Sequence, residues 1–158
     1  MQPHYSIDTS ALVDWWTRYY PPATFPTLQA RIEDLISEGR LRASREVLTE
    51  IERQDDELCK WAKATSDFFV ESDVAIQTYA KTLINNYRIP AKPDKGINGA
   101  DGFVIALAAC KSPNRIVVAC ENPGSAENPK IPYVCARATP RIEVINFLQL
   151  IAKEGWKF

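Results

Sequence analysis

The sequence has few residues of the kinds that build thiolate metal sites or disulfide frameworks. It contains one histidine, His4, and four widely spaced cysteines without a CxxC pair, which are Cys59, Cys110, Cys120 and Cys135. Structural zinc sites use closely paired cysteine and histidine ligands, so this pattern does not predict one. Disulfides are not expected in a reducing compartment. The cysteines are therefore predicted to be buried thiols.

Long apolar runs and a strong net charge are absent as well. No apolar run approaches the roughly 20 residues that a membrane helix needs. The first twenty residues contain Arg18 as their only cation, which does not fit a signal peptide. We therefore expect a soluble, cytoplasmic protein without a membrane association. A formal net charge of -1 supplies no global field that attracts nucleic acid, so such binding requires a local basic patch.

The residues that are present predict a single α/β domain over 1–158. The chain is 46% hydrophobic, which is enough to bury a core. Short apolar runs alternate with helical periodicity, an order typical of a central parallel sheet covered by helices. Strands are predicted over 5–7, 41–43, 115–120 and, at a sheet edge, 131–135. Helices are predicted over 10–20, 27–38, 44–51, 55–64, 72–87, 101–110 and from 139 to near 155.

Four acidic residues stand where these predicted elements begin or end. Asp8 and Glu121 follow apolar strands, Asp101 begins a helix that is apolar nearly all round, and Glu50 lies at the border of a buried helix face. Each acid also has an ordinary interpretation, as a solvated turn or helix acid or as a partner of a helix dipole. The carboxyl ends of parallel strands and the following helix starts share one sheet edge. All four acids are therefore predicted to face one point.

Such a group of acids favours a divalent metal site. Unpaired carboxylates raise each other's pKa values, and a hard cation with oxygen ligands relieves the repulsion. Magnesium binds through one or two carboxylates together with water and substrate phosphates, which suits an open acidic cleft. Hydrolysis of a phosphodiester is the reaction that fits this arrangement. The Ser10 hydroxyl is predicted to hold one carboxylate or a water molecule in place.

Four segments that contain these acids resemble, in chain order, the acidic motifs of PIN-domain proteins. They are YSIDTS at 5–10, SREVLTEI at 44–51, ADGFVIALA at 100–108 and VVACEN at 117–122. The segment KIPYVC at 130–135 and the final helix look like a PIN-like branch found in bacterial toxin–antitoxin loci. In position, Asp8, Glu50 and Asp101 match the three most regular acids of the family. Glu121 matches the fourth, although Cys120 precedes it where many relatives have threonine.

The resemblance implies a three-layer α/β/α fold and a ribonuclease that depends on Mg²⁺ or Mn²⁺. It further implies a VapC-like toxin of a type II toxin–antitoxin pair, with RNA as substrate, a cognate antitoxin as protein partner and a homodimer as a common assembly. Phosphate contacts need only local positive charge. From their proximity to the motifs, the residues predicted to contact RNA are Arg42, Arg45, Lys92, Lys95 and Arg115.

Two other functions remain open from the sequence. A phosphatase of the haloacid-dehalogenase type would use Asp8 as its nucleophile, but that chemistry normally has a second aspartate where this chain has Ser10. A non-catalytic module would use Trp15, Trp16 and Tyr19 to bind a protein, since two adjacent tryptophans on a helix cannot both face the core. An acyl-phosphate on Asp8 would distinguish the phosphatase from the nuclease.

Overall fold

A computed structural model describes residues 2–54 and 56–158. Over these residues a five-stranded, all-parallel sheet lies between layers of helices, so the predicted α/β/α fold is confirmed. The strands are β1 (Tyr5–Ile7), β2 (Leu41–Ser44), β3 (Phe69–Val70), β4 (Ile116–Val118) and β5 (Val144–Ile145), and their order across the sheet is β3-β2-β1-β4-β5. Within these residues, every helix is too short or too polar to cross a membrane.

Eight α-helices connect and cover the strands in the described part of the chain. They are α1 (Thr9–Val13), α2 (Pro26–Ser37), α3 (Arg45–Ile51), α4 (Glu57–Ala64), α5 (Val74–Asn86), α6 (Asp101–Cys110), α7 (Ile131–Arg137) and α8 (Phe147–Lys153). Helix α1 continues into a π-helical segment, Asp14–Tyr19, and a short 3-10 turn, Ser66–Phe68, precedes β3. The predicted helix over 10–20 is thus two helical pieces of different winding.

Strand β1 is the centre of the sheet and lies between β2 and β4. Tyr5 is in register with Leu41 on one side and with Ile116 on the other, and all three strands run the same way. The N–H of Asp8 donates to Val118 O at 2.8 Å, which extends the β1–β4 ladder to the residue after β1. The carboxyl ends of the three central strands therefore lie along one edge, as the sequence predicts.

Helix α6 crosses this sheet as a buried element, in agreement with its apolar sequence. Gly102 lies against α5, where an added Cβ would come within 3.2 Å of Ala80 O. On the sheet side, Ser6 Oγ donates a 2.8 Å hydrogen bond to Val104 O. These close contacts fix α6 between β1 and α5, and they place Asp101 at the carboxyl edge of the sheet.

The opposite, amino edge is held by buried charges. Glu154, directly after α8, accepts hydrogen bonds from Tyr5 OH and from Arg40 Nη2. The side chains of Arg40 and Glu154 are each 8% exposed. Arg40 Nε also donates to Pro3 O at 2.9 Å. The end of α8 is thereby joined to β1 and to the turn before β2.

Residues 131–135 form the first part of α7, so the predicted edge strand is wrong. Pro132 lies in the first turn of this helix, where a backbone N–H has no helical partner and its loss costs nothing. The edge position belongs to β5, which pairs with β4 through Val117 and Val144. A short apolar run with one proline fits either element, and tertiary packing decides between them.

The final helix begins at Phe147, so the predicted start at 139–140 is also wrong. Asn146 Oδ1 accepts from Gln149 N at 2.8 Å, and Asn146 N donates to Gln149 Oε1 at 2.8 Å. This reciprocal capping box satisfies two backbone donors at the helix start. The residues before it are extended and contain β5.

Smaller differences concern caps and the cysteines. Asp73, not Ser72, caps α5 by accepting from Ile76 N at 2.9 Å. Asp55, predicted in the first turn of α4, lies outside the described residues. Two of the predicted buried thiols, Cys59 and Cys135, are buried, and the other two cysteines are half-buried. All four are free thiols.

Candidate metal centre

Three of the four predicted acids come together at the carboxyl edge of the sheet. One carboxylate oxygen from each of Asp8, Asp101 and Glu121 lies within 4.8 Å of the others. Each acid belongs to a different part of the chain: the residue after β1, the first residue of α6, and the turn that follows β4. The parallel direction of β1 and β4 and the buried position of α6 bring them together.

Asp8 is held from one side by Ser10. Its Oδ2 atom accepts from Ser10 Oγ at 2.6 Å and from Ser10 N at 3.2 Å, and the side chain is almost fully buried. Ser10 Oγ in turn accepts from Cys120 N at 3.0 Å, which joins the ends of β1 and β4. Oδ1 of Asp8 accepts no hydrogen bond within the described ranges, 2–54 and 56–158. Ser10 therefore holds one carboxylate, as predicted.

Asp101 and Glu121 are positioned mainly through the backbone. Asp101 N donates to Asn98 O at 3.1 Å, while the carboxylate of Asp101 accepts no hydrogen bond from any residue that the structure describes. No side chain that the structure describes caps the start of α6, and the Asn98 amide donates to Lys95 O at 3.2 Å. Glu121 Oε2 accepts from Ile131 N at 3.3 Å, which links the turn after β4 to the start of α7.

Glu50 lies beside these acids but outside the group of three. Thr9 Oγ1 donates to Glu50 Oε1 at 2.7 Å and holds the side chain against the start of α1. The backbone of the loop before α6 approaches the other oxygen from one side, since a Cβ added to Gly99 would lie 3.0 Å from Glu50 Oε2. Gly99 has a φ of +56°, a conformation that glycine adopts without strain. Glu50 thus borders the centre and influences it electrostatically.

The buried acids hold their protons more tightly than acids in water. Burial raises the pKa of Asp8 to about 6, although its hydrogen bonds from Ser10 act in the opposite direction. Burial raises the pKa of Asp101 further, to about 8, and the neighbouring carboxylates add to this increase while Lys130 opposes it. Without a cation, the centre is therefore electrostatically strained at neutral pH.

This donor set fits a hard divalent cation. Asp8 Oδ1 and the Asp101 carboxylate lack protein donors within the described part of the chain, although Asp8 is buried and Asp101 is half-buried. Carboxylate oxygens are the usual ligands of Mg²⁺ and Mn²⁺. An ion at this point would be held by Asp8, Asp101 and Glu121, and it would offset the repulsion that helps to raise the pKa values of Asp8 and Asp101.

Lys130 is a part of the site that the sequence interpretation missed. It occupies the cap position of α7, is half-buried, and forms no ion pair among the residues described by the structure. Gly124 lies against it: an added Cβ would meet Lys130 N at 2.6 Å, so the preceding loop can fold tightly only with glycine there. If residues 130–135 had been recognised as the start of a helix beside Glu121, the sequence would have indicated that Lys130 lies near the acids.

Two of the predicted RNA contacts are not brought to the acids. Arg115 precedes β4 at the amino edge and donates to the carbonyls of Tyr5, Arg40 and Gly39 at 3.1–3.2 Å. Arg42 lies within β2, and its Nη1 donates to Ile36 O at 2.7 Å. Arg115 Nη1 and Nη2 and Arg42 Nη1 therefore donate to backbone carbonyls of the fold rather than pointing to the acids.

The other predicted contacts lie nearer to the centre. Arg45 begins α3 at the carboxyl edge and is 44% exposed, with Glu71 Oε1 at 3.7 Å. Lys92 and Lys95 lie exposed in the loop that leads to Asp101. Arg45 thus begins a helix at the sheet edge that bears the acids, and the two lysines precede Asp101 in the chain.

The tryptophan surface considered for a protein contact is largely internal. Trp15 is fully buried, edge-on to Trp61 at 5.0 Å between ring centroids and stacked on Phe147 at 6.2 Å. Trp16 is half-buried against the same cluster, and Tyr19 is 62% exposed. Of the three aromatic residues, Tyr19 is thus the one that presents a full face to solvent.

Comparison with known proteins places the chain by sequence alone. A family profile described as a domain of unknown function, DUF4411, matches residues 5–158. The matched range includes the four acids, Ser10 and Lys130. No curated protein sequence matches the chain.

The raised pKa values predict how stability depends on pH when no metal is present. Asp8 and Asp101 bind protons more tightly in the folded chain than in the unfolded chain, where their pKa lies near 3.8. Between about pH 4 and pH 8 the folded state therefore binds more protons, so these groups reduce stability as pH rises through this window. The Asp101→Asn variant in EDTA should show a smaller decrease in Tm from pH 5 to pH 8 than wild type.

The control for this pH series is Asp34→Asn, which makes the same chemical change on the exposed face of α2. The Tm of Asp34→Asn should depend on pH in the same way as that of wild type. An Asp101→Asn variant whose Tm varies with pH as steeply as that of Asp34→Asn would contradict the assignment.

Metal binding should offset the loss of stability that the ionised acids cause at neutral pH. Millimolar Mg²⁺ or Mn²⁺ should raise the Tm of wild type, and a free-ion concentration near 100 times Kd corresponds to about 2.7 kcal/mol. Asp8→Asn and Asp101→Asn should equal or exceed wild type in EDTA, because repulsion is relieved, and gain little from metal. Differential scanning calorimetry of the three proteins in both buffers measures the six combinations. Equal gains in wild type and both variants would exclude this centre as the binding site.

Proposed function

The chain belongs to the DUF4411 family, a domain of unknown function, and we propose that it is a divalent-metal-dependent endoribonuclease. The observation that carries the proposal is the approach of Asp8, Asp101 and Glu121 to within 4.8 Å at the carboxyl edge of a parallel sheet. Open α/β sheets usually bind ligands at this edge. The choice of RNA as substrate is supported by the resemblance of the four acidic segments to PIN-domain motifs.

The chain's own groups have distinct parts in this proposal. Ser10 fixes Asp8 by its 2.6 Å hydrogen bond, so that Oδ1 remains available to a cation. The ion, when bound, would lower the pKa of a water molecule and neutralise charge on the phosphodiester. Glu50 accepts from Thr9 through Oε1, while its Oε2 has no donor in the described ranges and can accept a proton from the attacking water.

Lys130 supplies positive charge where the substrate phosphate must approach acids. Its ammonium group lies close enough to Asp101 to lower the pKa of that carboxyl, although burial and the neighbouring carboxylates have larger effects in the opposite direction. It forms no ion pair with a described residue, so no carboxylate has to be displaced before it meets a phosphate. We assign Lys130 to a phosphate oxygen of the RNA, together with the more exposed Arg45, Lys92 and Lys95.

The biological setting of this activity rests on the resemblance. The protein would act in the cytoplasm as the toxin of a type II toxin–antitoxin pair, with RNA as substrate and a cognate antitoxin as inhibitor. A homodimer is part of the same proposal. The haloacid-dehalogenase alternative lacks support, because the second aspartate of that chemistry is replaced by Ser10, whose hydroxyl is committed to Asp8.

The proposed reaction predicts which substitutions abolish activity. Wild type should cleave single-stranded RNA in Mg²⁺ or Mn²⁺ and not in EDTA. Asp8→Asn, Asp101→Asn and Glu121→Gln should each lower kcat by about 100-fold or more, because each removes charge that holds the ion. Asp34→Asn should keep wild-type activity. Gel analysis of a labelled RNA measures the rates, and cleavage that persists in Asp101→Asn would refute the assignment.

The role of Lys130 can be separated from that of the metal ligands. Lys130→Ala should lower kcat/KM by about 10-fold and reduce the slope of log(kcat/KM) against log[salt] by about 1, because one phosphate contact is lost. Lys130→Arg should retain the slope, since the positive charge remains. A loss of activity in Lys130→Ala with an unchanged salt slope would show that Lys130 acts on folding or on Asp101 rather than on RNA.

A further inference from the structure

An open cleft of about 490 Å³ adjoins the acidic centre. We call it the aromatic cleft and define it by Asp14, Tyr19, Tyr20, Asn146, Phe147 and Leu148. Glu121 and Cys120 line its inner end. Since Glu121 also belongs to the three converging acids, the cleft lies directly beside the candidate metal centre. The catalytic roles assigned above leave this cleft without a use.

Exposed apolar groups are concentrated at the aromatic cleft. In the described part of the chain, four large hydrophobic side chains are highly exposed: Tyr19, Val74, Leu148 and Phe158. Two of the four line this one cleft, with Tyr19 62% exposed and Leu148 59% exposed. Contiguous exposed apolar surface usually marks a binding site. Tyr19 and Leu148 therefore form a surface suited to a flat apolar ligand.

The inner wall of the cleft is rigid. The ring of Tyr20 packs against Phe25 at 5.8 Å and against Phe147 at 5.6 Å between centroids. Phe147 is 1% exposed and stacks on Trp15, which belongs to the buried core. A ligand that contacts Tyr20 thus meets a ring that Phe147 and Phe25 already hold in place, which reduces the entropy lost on binding.

The polar groups of the cleft fit a base better than a phosphate. Asp14 Oδ1 accepts from Arg18 at 3.2 Å, so the nearby cation is already paired with this carboxylate. The side-chain oxygen of Asn146 accepts from Gln149 N, while its amide nitrogen has no partner among the residues described. Asp14 and Asn146 together offer an acceptor and a donor beside aromatic rings. Unpaired bases are recognised by this combination of stacking and edge hydrogen bonds.

We propose that the aromatic cleft binds one unpaired nucleobase of the RNA whose backbone passes the three acids. This inference rests on the proposed nuclease function and adds a base-binding subsite to it. Because Glu121 lines both the cleft and the acidic centre, the bound base belongs to a nucleotide close to the phosphate that is cut. The cleft thereby restricts cleavage to single-stranded RNA and selects the position of the cut.

The test measures binding separately from catalysis. All proteins carry Asp101→Asn, which removes metal-dependent cleavage and part of the repulsion towards phosphate. The probes are a fluorescein-labelled single-stranded RNA of ten nucleotides and a ribose-phosphate oligomer of the same length that lacks bases, and anisotropy gives both Kd values. The protein with an intact cleft should bind the RNA more tightly than the abasic oligomer.

Substitutions within the cleft should remove this preference for bases. Tyr19→Ala should weaken RNA binding by about 5- to 30-fold, the usual effect of losing an aromatic group that stacks on a base. Leu148→Ala should also weaken RNA binding, because apolar contact with the base is lost. Both variants should leave the Kd of the abasic oligomer unchanged. Tyr19→Phe should retain binding, because the ring remains. The matched control is Val74→Ala, which removes an apolar side chain that is 79% exposed on α5 and lies outside the cleft.

Each outcome decides the proposal. Equal RNA affinities of Tyr19→Ala, Leu148→Ala and Val74→Ala would overturn it, as would equal affinities of the intact cleft for RNA and abasic oligomer. Absence of RNA binding would also overturn it and would leave the exposed pair to a protein ligand. The nuclease function is judged independently by metal-dependent cleavage with wild type. A chain that fails to cleave RNA but discriminates bases through Tyr19 would keep the cleft and lose the nuclease.

Discussion

The parallel pairing of β1 with both β2 and β4 is the constraint on which the acidic centre depends. It makes three strand ends coincide at one edge, and the hydrogen bond from Asp8 N to Val118 O carries the alignment one residue beyond the strand. Buried α6 completes the geometry, because its first residue is Asp101. The acids are distant in sequence and adjacent in space for this reason alone.

The same arrangement has an energetic cost that the rest of the fold must offset. Removing Asp8 and Asp101 from water raises both pKa values, and every further carboxylate nearby adds to the effect. The apolar contacts of α6 with β1 and α5 supply stability around the strained groups. Sites that hold like charges together are often less stable than their surroundings and more useful chemically.

Sequence reasoning could predict those features that follow from apolar periodicity and chain direction. Strand β1, the buried helix α6 and the meeting of Asp8 with Asp101 are of this kind. It could not distinguish helix from strand at 131–135, because a run of five residues that is mostly apolar and contains one proline fits both patterns. Nor could it show that Arg115 donates to backbone carbonyls, which distinguishes it from a cation that is free to bind phosphate. Because residues 131–135 were predicted as a strand, Lys130 was not recognised as the residue that precedes a helix beside Glu121.

Glu154 has a consequence for the order in which the protein can be completed. Its carboxylate accepts hydrogen bonds from Tyr5 in β1 and from Arg40. These two residues precede Glu154 by 149 and 114 positions, so both contacts form only when the end of the chain has been made. Strand β4, which carries the turn with Glu121, is also made after residue 115. During translation, the emerging chain therefore possesses Asp8 and Asp101 before the strand and the final helix that complete the site exist. Ribosome-bound fragments would carry acids of the centre without forming it.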